Sequence, residues 1–132
     1  MGIRDLFSSK PKQFVSRDSF ESNLAHQIAM TPQTLEQLRK CNVTAEQSLK
    51  LEFFFYTNSE SKAFALADAL AKMQYEVGYG LSATNKRLQV ITGWTSAMQM
   101  RDSIVVGWSE KMCKLGFEHD CEFDGWGTSP EG

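Results

Sequence analysis

The stretch Leu51-Glu52-Phe53-Phe54-Phe55-Tyr56 decides the fold. It places bulky side chains on both faces of a strand with a period of two residues. A strand with one solvated face alternates apolar and polar residues, whereas a strand covered on both faces stays largely apolar. We therefore predict that this stretch is the central strand of a sheet.

Five further elements follow this strand, and each is recognised by the period of its apolar residues. They are a helix over 59–74, two strands of a hairpin over 75–81 and 88–92, a helix over 96–115 and a strand over 121–126. The order strand, helix, strand, strand, helix, strand is the split βαβ pattern. Crossover connections are right-handed, which leaves few arrangements for this order of elements. The order therefore predicts an α+β fold, a ferredoxin-like βαββαβ sandwich. Its four-stranded antiparallel sheet has the first and third strands in the middle and both helices on one face.

Local signals mark the ends of the two predicted helices. A capping-box spacing that starts at Thr57 opens the first helix, and Thr95 or Ser96 opens the second. Gly116 stands where a C-cap glycine is expected to end the second helix. Gly107 lies inside that helix, where glycine costs about 1 kcal/mol relative to alanine, so we expect the helix to approach the sheet closely there.

The beginning of the chain differs in composition from the rest, being polar and rich in serine and glutamine. It predicts a helical N-terminal arm, residues 1–48, in front of a ferredoxin-like domain, residues 49–132. Within the arm, one helix is expected from the cap region 16–18 to Met30, and a second helix to start at Thr31-Pro32. The arm is a candidate cover for the sheet face that carries no helix.

The inward phase of each element defines a predicted core. It consists of Phe53, Phe55, Phe64, Leu70, Val77, Val90, Ile104, Trp108 and Phe123. A chain of 132 residues with 42% hydrophobic side chains can bury a core of this size. We therefore expect a folded domain and not a disordered chain.

Charge and cysteine usage exclude several classes of protein. The 14 basic and 16 acidic side chains give a net charge of −2, which provides no excess positive field for a phosphate backbone. Three widely spaced cysteines do not form a secreted disulfide scaffold, so a reducing cytoplasm is the expected compartment. Residues 1–12 contain no long apolar run, and we expect neither a signal peptide nor a membrane anchor there.

Metal binding and catalysis have thin support in the sequence. Cys113, His119 and Cys121 are candidate metal ligands, but their spacing matches no standard zinc pattern, and both cysteines fit a core position better. His26 and His119 are the available bases, and no nucleophile, base and orienting group converge in the sequence. We therefore expect that the protein is not an enzyme and needs no cofactor. The alternative is that it is a small orphan enzyme.

An RNA-binding module is a second alternative. The aromatic first strand resembles the base-stacking sheet of RNA-recognition modules, which share the predicted fold. The partner strand over 86–91 offers Lys86 and Arg87 but no ring for a base, and the Gly-aromatic signature of those modules is missing. We therefore predict that the protein does not bind nucleic acid directly.

The run Asp124-Gly125-Trp126-Gly127-Thr128 is the most distinctive stretch of the chain, because it joins a permissive backbone to a large ring and a carboxylate. Together with Glu122 and Phe123, it closely resembles the C-terminal signature of the bacterial RNase E inhibitor family, the regulators of ribonuclease activity B. Further stretches are similar to that family's first strand, its helix-to-second-strand passage and its leading helix. They are 51–57, 69–77 and 34–38.

The resemblance implies a non-catalytic cytoplasmic protein that binds another protein. In the named case the partner is the endoribonuclease RNase E, and binding reduces RNA cleavage. A weakly acidic surface would complement arginine-rich segments of such a partner. The partner-binding residues are then expected to be Asp124, Gly125, Trp126, Gly127 and Thr128, with the carboxylate of Asp124 and an exposed ring of Trp126 as the main contacts.

Overall fold

A computed structural model describes residues 12–129, which form three helices and six strands. In chain order these are α1 (Arg17–Lys40), β1 (Ser48–Leu49), β2 (Glu52–Thr57), α2 (Glu60–Ala71), β3 (Glu76–Leu81), β4 (Gln89–Trp94), β5 (Met98–Gln99), α3 (Asp102–Glu118) and β6 (Glu122–Gly127). Residues 1–11 of the predicted arm, and the end of the chain from Pro130, lie outside the described residues.

Strands β2, β3, β4 and β6 form one antiparallel sheet in the order β3-β4-β2-β6. The first and third strands of the βαββαβ unit therefore occupy the middle, and the ferredoxin-like fold is confirmed. The doubly apolar strand β2 is central, as its sequence predicted. Strands β1 and β5 pair with each other outside this sheet. The division at residue 48 into an arm and a domain stays a prediction.

The core lies between one face of the sheet and the helices α2 and α3. Phe53, Phe55 and Phe123 are fully buried there, and Trp108 is almost so. The ring centroids of Phe55 and Phe123 are 5.1 Å apart, and Trp108 meets Phe123 edge-on at 6.0 Å. Burying an aromatic or large aliphatic side chain contributes roughly 1.5–3 kcal/mol, so this cluster dominates the stability of the fold.

Three of the nine predicted core residues are wrong. Phe64 is 59% exposed and Ile104 is 39% exposed, because the small residue Ala63 and the branched residue Val105 occupy the inward positions instead. Val90 pairs with Tyr56 on the other face of the sheet, one residue out of phase with the buried Ile91. The remaining six point into the core, although Val77 is only partly buried.

Helix α1 is continuous, so the predicted break after Met30 is wrong. Pro32 lies inside the helix and leaves the carbonyl of Ile28 without its usual backbone partner. The helix continues because residues on both sides of the proline are buried, including Gln27 and Leu35. Tertiary packing of this face outweighs the local cost of the proline.

Helix α1 also lies elsewhere than predicted, because it packs along α3 and does not cover the helix-free face of the sheet. Phe20 of α1 stacks on Phe117 of α3 with the ring centroids 4.4 Å apart. Asn23 donates a hydrogen bond of 2.8 Å to the carbonyl of Phe123, so α1 reaches the sheet only at its β6 edge.

The predicted start of the last helix is wrong as well. Residues 98–99 form β5, and α3 begins only at Asp102. At the other end, Gly116 lies inside α3 and His119 is the C-cap. The predicted capping role of Thr57 is also wrong, since Ser59 is the N-cap of α2 and Thr57 donates its hydroxyl hydrogen to the carbonyl of Asp120.

Gly116 and not Gly107 is the position of close approach in α3. A Cβ atom at Gly116 would lie 2.8 Å from the carbonyl oxygen of Cys121 and 2.9 Å from the ring of Phe55. Nothing lies within 4 Å of a Cβ atom at Gly107. We expect Gly116→Ala to lower the free energy of unfolding by about 2 kcal/mol through overpacking. Gly107→Ala should raise it by up to about 1 kcal/mol through helix propensity.

Urea unfolding of the two variants beside the parent protein measures both effects. Equal stability of the two variants would show that α3 does not approach the sheet at Gly116.

The segment in front of α1 is fastened to the far end of the chain by an Asp120 clasp, which consists of Phe14, Val15, Lys62 and Asp120. The backbone N–H groups of Phe14 and Val15 each donate to the Asp120 carboxylate at 2.8 Å. The Lys62 ammonium donates to the same carboxylate at 2.6 Å. Burial alone would raise the pKa of Asp120, but these hydrogen bonds and the Lys62 charge lower it below its ordinary value.

Candidate functional site

Residues 124–128, which we name the signature segment, begin within β6 and end just after it. β6 is an edge strand with a β-bulge. Phe54 of β2 faces Gly125, but the next residue, Phe55, faces Phe123. Asp124 is therefore an extra residue in β6. Gly125 has a φ of +133°, a backbone conformation that side chains rarely allow, so glycine is required at this position.

The bulge changes the face on which Trp126 lies. In a strand without a bulge, Trp126 and Phe123 would point to opposite faces of the sheet. Because of the extra residue, Trp126 faces Phe53 on the helix-covered side. Its ring meets Trp108 edge-on at 6.4 Å, and its Nε1–H donates to the hydroxyl of Thr31 at 3.2 Å. The indole is thus partly buried and held by both α1 and α3.

A groove of about 300 Å³ separates α1 from β6. Its walls come from α1, from the bulge and from the central strand. The lining residues are His26, Gln27, Met30, Thr31, Thr34, Phe54, Asp124, Gly125 and Trp126. The structure therefore brings three of the five predicted site residues to one groove, while Thr128 donates its hydroxyl hydrogen to the carbonyl of Lys50.

The α1 wall of this groove was missed by the sequence analysis. His26, Met30 and Thr34 stand at steps of four on one helix face, and Met30 is 39% exposed. The four-residue spacing indicates a shared helix face. The prediction of a new helix at Pro32 separated Thr34 from the other two residues. A helix that continues through the proline predicts all three on one surface.

The bulge carries negative charge without a cation beside it. Partial burial raises the pKa of Asp124, and burial together with the charge of Asp124 raises the pKa of Glu122. Within residues 12–129 neither carboxylate forms a salt bridge. A cationic group of a partner could therefore approach this edge of the sheet.

The sheet face opposite the helices, which we name the open face, is covered by no described helix. It carries Phe54 and Tyr56 of β2 and Trp94 of β4, each of them half-buried. The strand register also places Glu52 and Glu76 on this face. The stretch 86–91 carries no ring, as predicted, but β4 extends beyond it and ends at Trp94, so the partner strand does carry an aromatic residue.

Two of the three cysteines, Cys113 and Cys121, are buried. Burial, with a smaller contribution from the charge of Glu110, raises the pKa of Cys113 to about 12. Burial raises the pKa of Cys121 to about 11. Both thiols are therefore protonated at neutral pH and are poor nucleophiles. In the part of the chain that the structure describes, no three His, Cys, Asp or Glu side chains are placed to hold a metal ion.

None of the helices within residues 12–129 combines the length and apolar character that a membrane span requires.

Comparison with known proteins gives the class of the protein. The model of one family, described as regulator of ribonuclease activity B, matches residues 28–128. The chain belongs to this family. The match confirms the resemblance found in the sequence, and it includes the second half of α1, the whole sheet and the bulged segment of β6. No curated protein matches the chain.

The family is described as a regulator of ribonuclease activity. Membership therefore assigns this chain to the control of ribonuclease activity and directs attention to surfaces that can bind a protein.

Proposed function

We propose that this protein binds RNase E, or a closely related endoribonuclease, and thereby reduces RNA cleavage. Segment 124–128 and the groove beside it form the proposed contact surface. The observation that carries the proposal is the bulge of β6, which presents the signature segment of the regulator family at an accessible sheet edge beside a groove.

The five signature residues have two kinds of role in this proposal. Gly125 permits the bulge, Trp126 anchors the segment between two helices, and Thr128 fixes its end to the chain before β2. Asp124 is exposed and projects from the bulge, so it is the residue that touches the partner. A rigid segment loses little conformational freedom on binding, which favours affinity.

A cationic surface of the partner fits this site. Burial and the charge of Asp124 raise the pKa of Glu122, so a cation beside this pair would stabilise it, and the net charge of the chain is −2. Complementary charge accelerates encounter and selects the partner. The same charges repel a phosphate backbone, so regulation acts through contact with the nuclease and not through direct RNA binding.

Free cysteines suit a reducing compartment, and we assign the protein to the bacterial cytoplasm.

Cleavage of a short RNA by purified RNase E tests the proposal. We expect the parent protein to slow cleavage, and Asp124→Lys to need an about tenfold higher concentration for the same effect, which corresponds to roughly 1.4 kcal/mol. Asp68→Lys is the matched control, because Asp68 lies on the exposed surface of α2 away from the groove. It should act like the parent protein.

Thermal melting must show that both variants are folded. Unchanged cleavage in the presence of the parent protein would reject RNase E as the target. Equal inhibition by Asp124→Lys and the parent protein would reject the bulge as the contact surface.

A further inference from the structure

The open face combines aromatic rings with carboxylates in a way that the proposed contact at the bulge does not use. Strands β2, β3, β4 and β6 contain four carboxylates but no lysine and no arginine. Three of these carboxylates, on Glu52, Glu76 and Glu122, belong to the open face by strand register. Within residues 12–129 none of the three forms a salt bridge. The face is therefore negatively charged and its charges are unpaired there.

Trp94 stands between two of these carboxylates. It is directly opposite Glu52 on one neighbouring strand and directly opposite Glu76 on the other. Side chains in such pairs have Cβ atoms about 4.5–5.5 Å apart. A pocket of about 240 Å³ opens beside the indole and is lined by Trp94, Glu76, Lys50 and Ser129. An indole flanked by carboxylates is a favourable environment for an organic cation.

The other two rings have smaller neighbours on the open face: Thr92 of β4 is opposite Phe54, and Val90 is opposite Tyr56. Gly78 and Gly80 of β3 lie on the open face, and a Cβ atom at either position would have nothing within 4 Å. On the other side of β2, Gly125 of the bulge faces Phe54. Phe54 and Tyr56 are therefore the largest side chains in their cross-strand rows, and the glycines of β3 lie two strands away. A flat group of a ligand can lie against these rings.

We propose that the open face binds an extended peptide segment that carries arginine. One guanidinium group stacks on Trp94 and pairs with Glu52 and Glu76, and neighbouring residues of the segment lie along Phe54 and Tyr56 towards Glu122. Arginine fits better than lysine, because its planar guanidinium can stack on a ring and bond a carboxylate in two places. The proposal does not depend on the identity of the endoribonuclease. Its surface is centred on Trp94, Glu52 and Glu76, which lie outside the groove, and it meets the groove at Phe54.

Lys50 distinguishes a peptide ligand from an RNA ligand. Lys50 is one of the residues that line the pocket beside Trp94, and it carries a positive charge. Removal of this charge should strengthen the binding of a cationic peptide. The same removal should weaken the binding of RNA, because a phosphate backbone is held by cations.

Fluorescence anisotropy with a labelled twelve-residue peptide of glycine, serine and three arginines tests the proposal without any nuclease. Two sister peptides carry lysine or uncharged citrulline in place of arginine. We expect the arginine peptide to bind at least fivefold more tightly than the lysine peptide, with no measurable binding of the citrulline peptide. The double variant Glu52→Gln with Glu76→Gln should bind at least tenfold more weakly, and Lys50→Ala should bind about twofold more tightly.

Glu46→Gln is the matched control, because Glu46 is an exposed carboxylate in the segment before β1 and should leave binding unchanged. Backbone amide NMR shifts should change along β2 and β4 and not along α2. Equal binding of the arginine and citrulline peptides, or unchanged binding by the double variant, would overturn the proposal. Preferential binding of a twelve-nucleotide oligouridine, weakened by Lys50→Ala, would overturn it in favour of an RNA surface.

Discussion

Gly93→Ala is expected to destabilise this protein more than any other glycine-to-alanine change in the sheet. Gly93 is the next-to-last residue of β4, where the backbone of β3 approaches closely. A Cβ atom there would overlap the carbonyl oxygen of Glu76 and lie 2.8 Å from the Cα atom of Val77. Both obstacles are backbone, so no side chain can rotate away from the clash.

Relief of this clash requires β3 and β4 to separate at one end. We expect a loss of about 3 kcal/mol or more in the free energy of unfolding, because overpacking against a fixed backbone exceeds the usual cost in a core. The melting temperature should fall by roughly 10 °C or more.

Gly78→Ala is the control for Gly93→Ala, since Gly78 lies in the adjacent strand with nothing within 4 Å of a Cβ atom. Its melting temperature should stay close to that of the parent protein. Calorimetry of the two variants checks both expectations, and similar melting temperatures would contradict the close approach of β3 to Gly93.

The second large effect is expected at the Asp120 clasp. Asp120→Asn keeps the side-chain shape and tolerates the backbone φ of +56°, but it removes the charge that Lys62 and two backbone N–H groups share. Lys62 is only 18% exposed, so its ammonium would lose its partner in a partly buried place. We expect a loss of about 2 kcal/mol, below the cost of breaking a fully buried ion pair.

The pH dependence of stability identifies the charge as the cause. Because the folded-state pKa of Asp120 is lowered, its contribution is complete above the ordinary value of 3.8 and is lost as the pH falls through the lowered value. The stability gap between the parent protein and Asp120→Asn should be full at pH 6 and should narrow below about pH 4. A gap that is constant from pH 6 to pH 3 would contradict this assignment.

The order of the elements and the central place of β2 were predictable, because both follow from local apolar periods. The phase of α2 was not, since the bulky residue Phe64 suggested the buried side, while the small residues Ala63 and Ala67 occupy it. Apolar character alone does not determine phase when small residues fill a tight interface.

Other features depend on parts of the chain that are distant in sequence. The late start of α3 follows from the pairing of β5 with β1, about fifty residues earlier. The candidate site was predictable in its residues but not in its geometry. Gly125 indicated an unusual backbone, but the bulge at Asp124, which turns Trp126 inward, depends on the register with β2.

The Asp120 clasp has a consequence for how the chain acquires its structure. It joins residues that are 106 positions apart, so it can close only after β6 has been synthesised. Contacts of such sequence separation form late, because the entropy of closing a long loop must be overcome first. Of the described helices, α1 is therefore synthesised first and docks last. During translation its apolar face stays without a partner until α3, on which it packs, has left the ribosome.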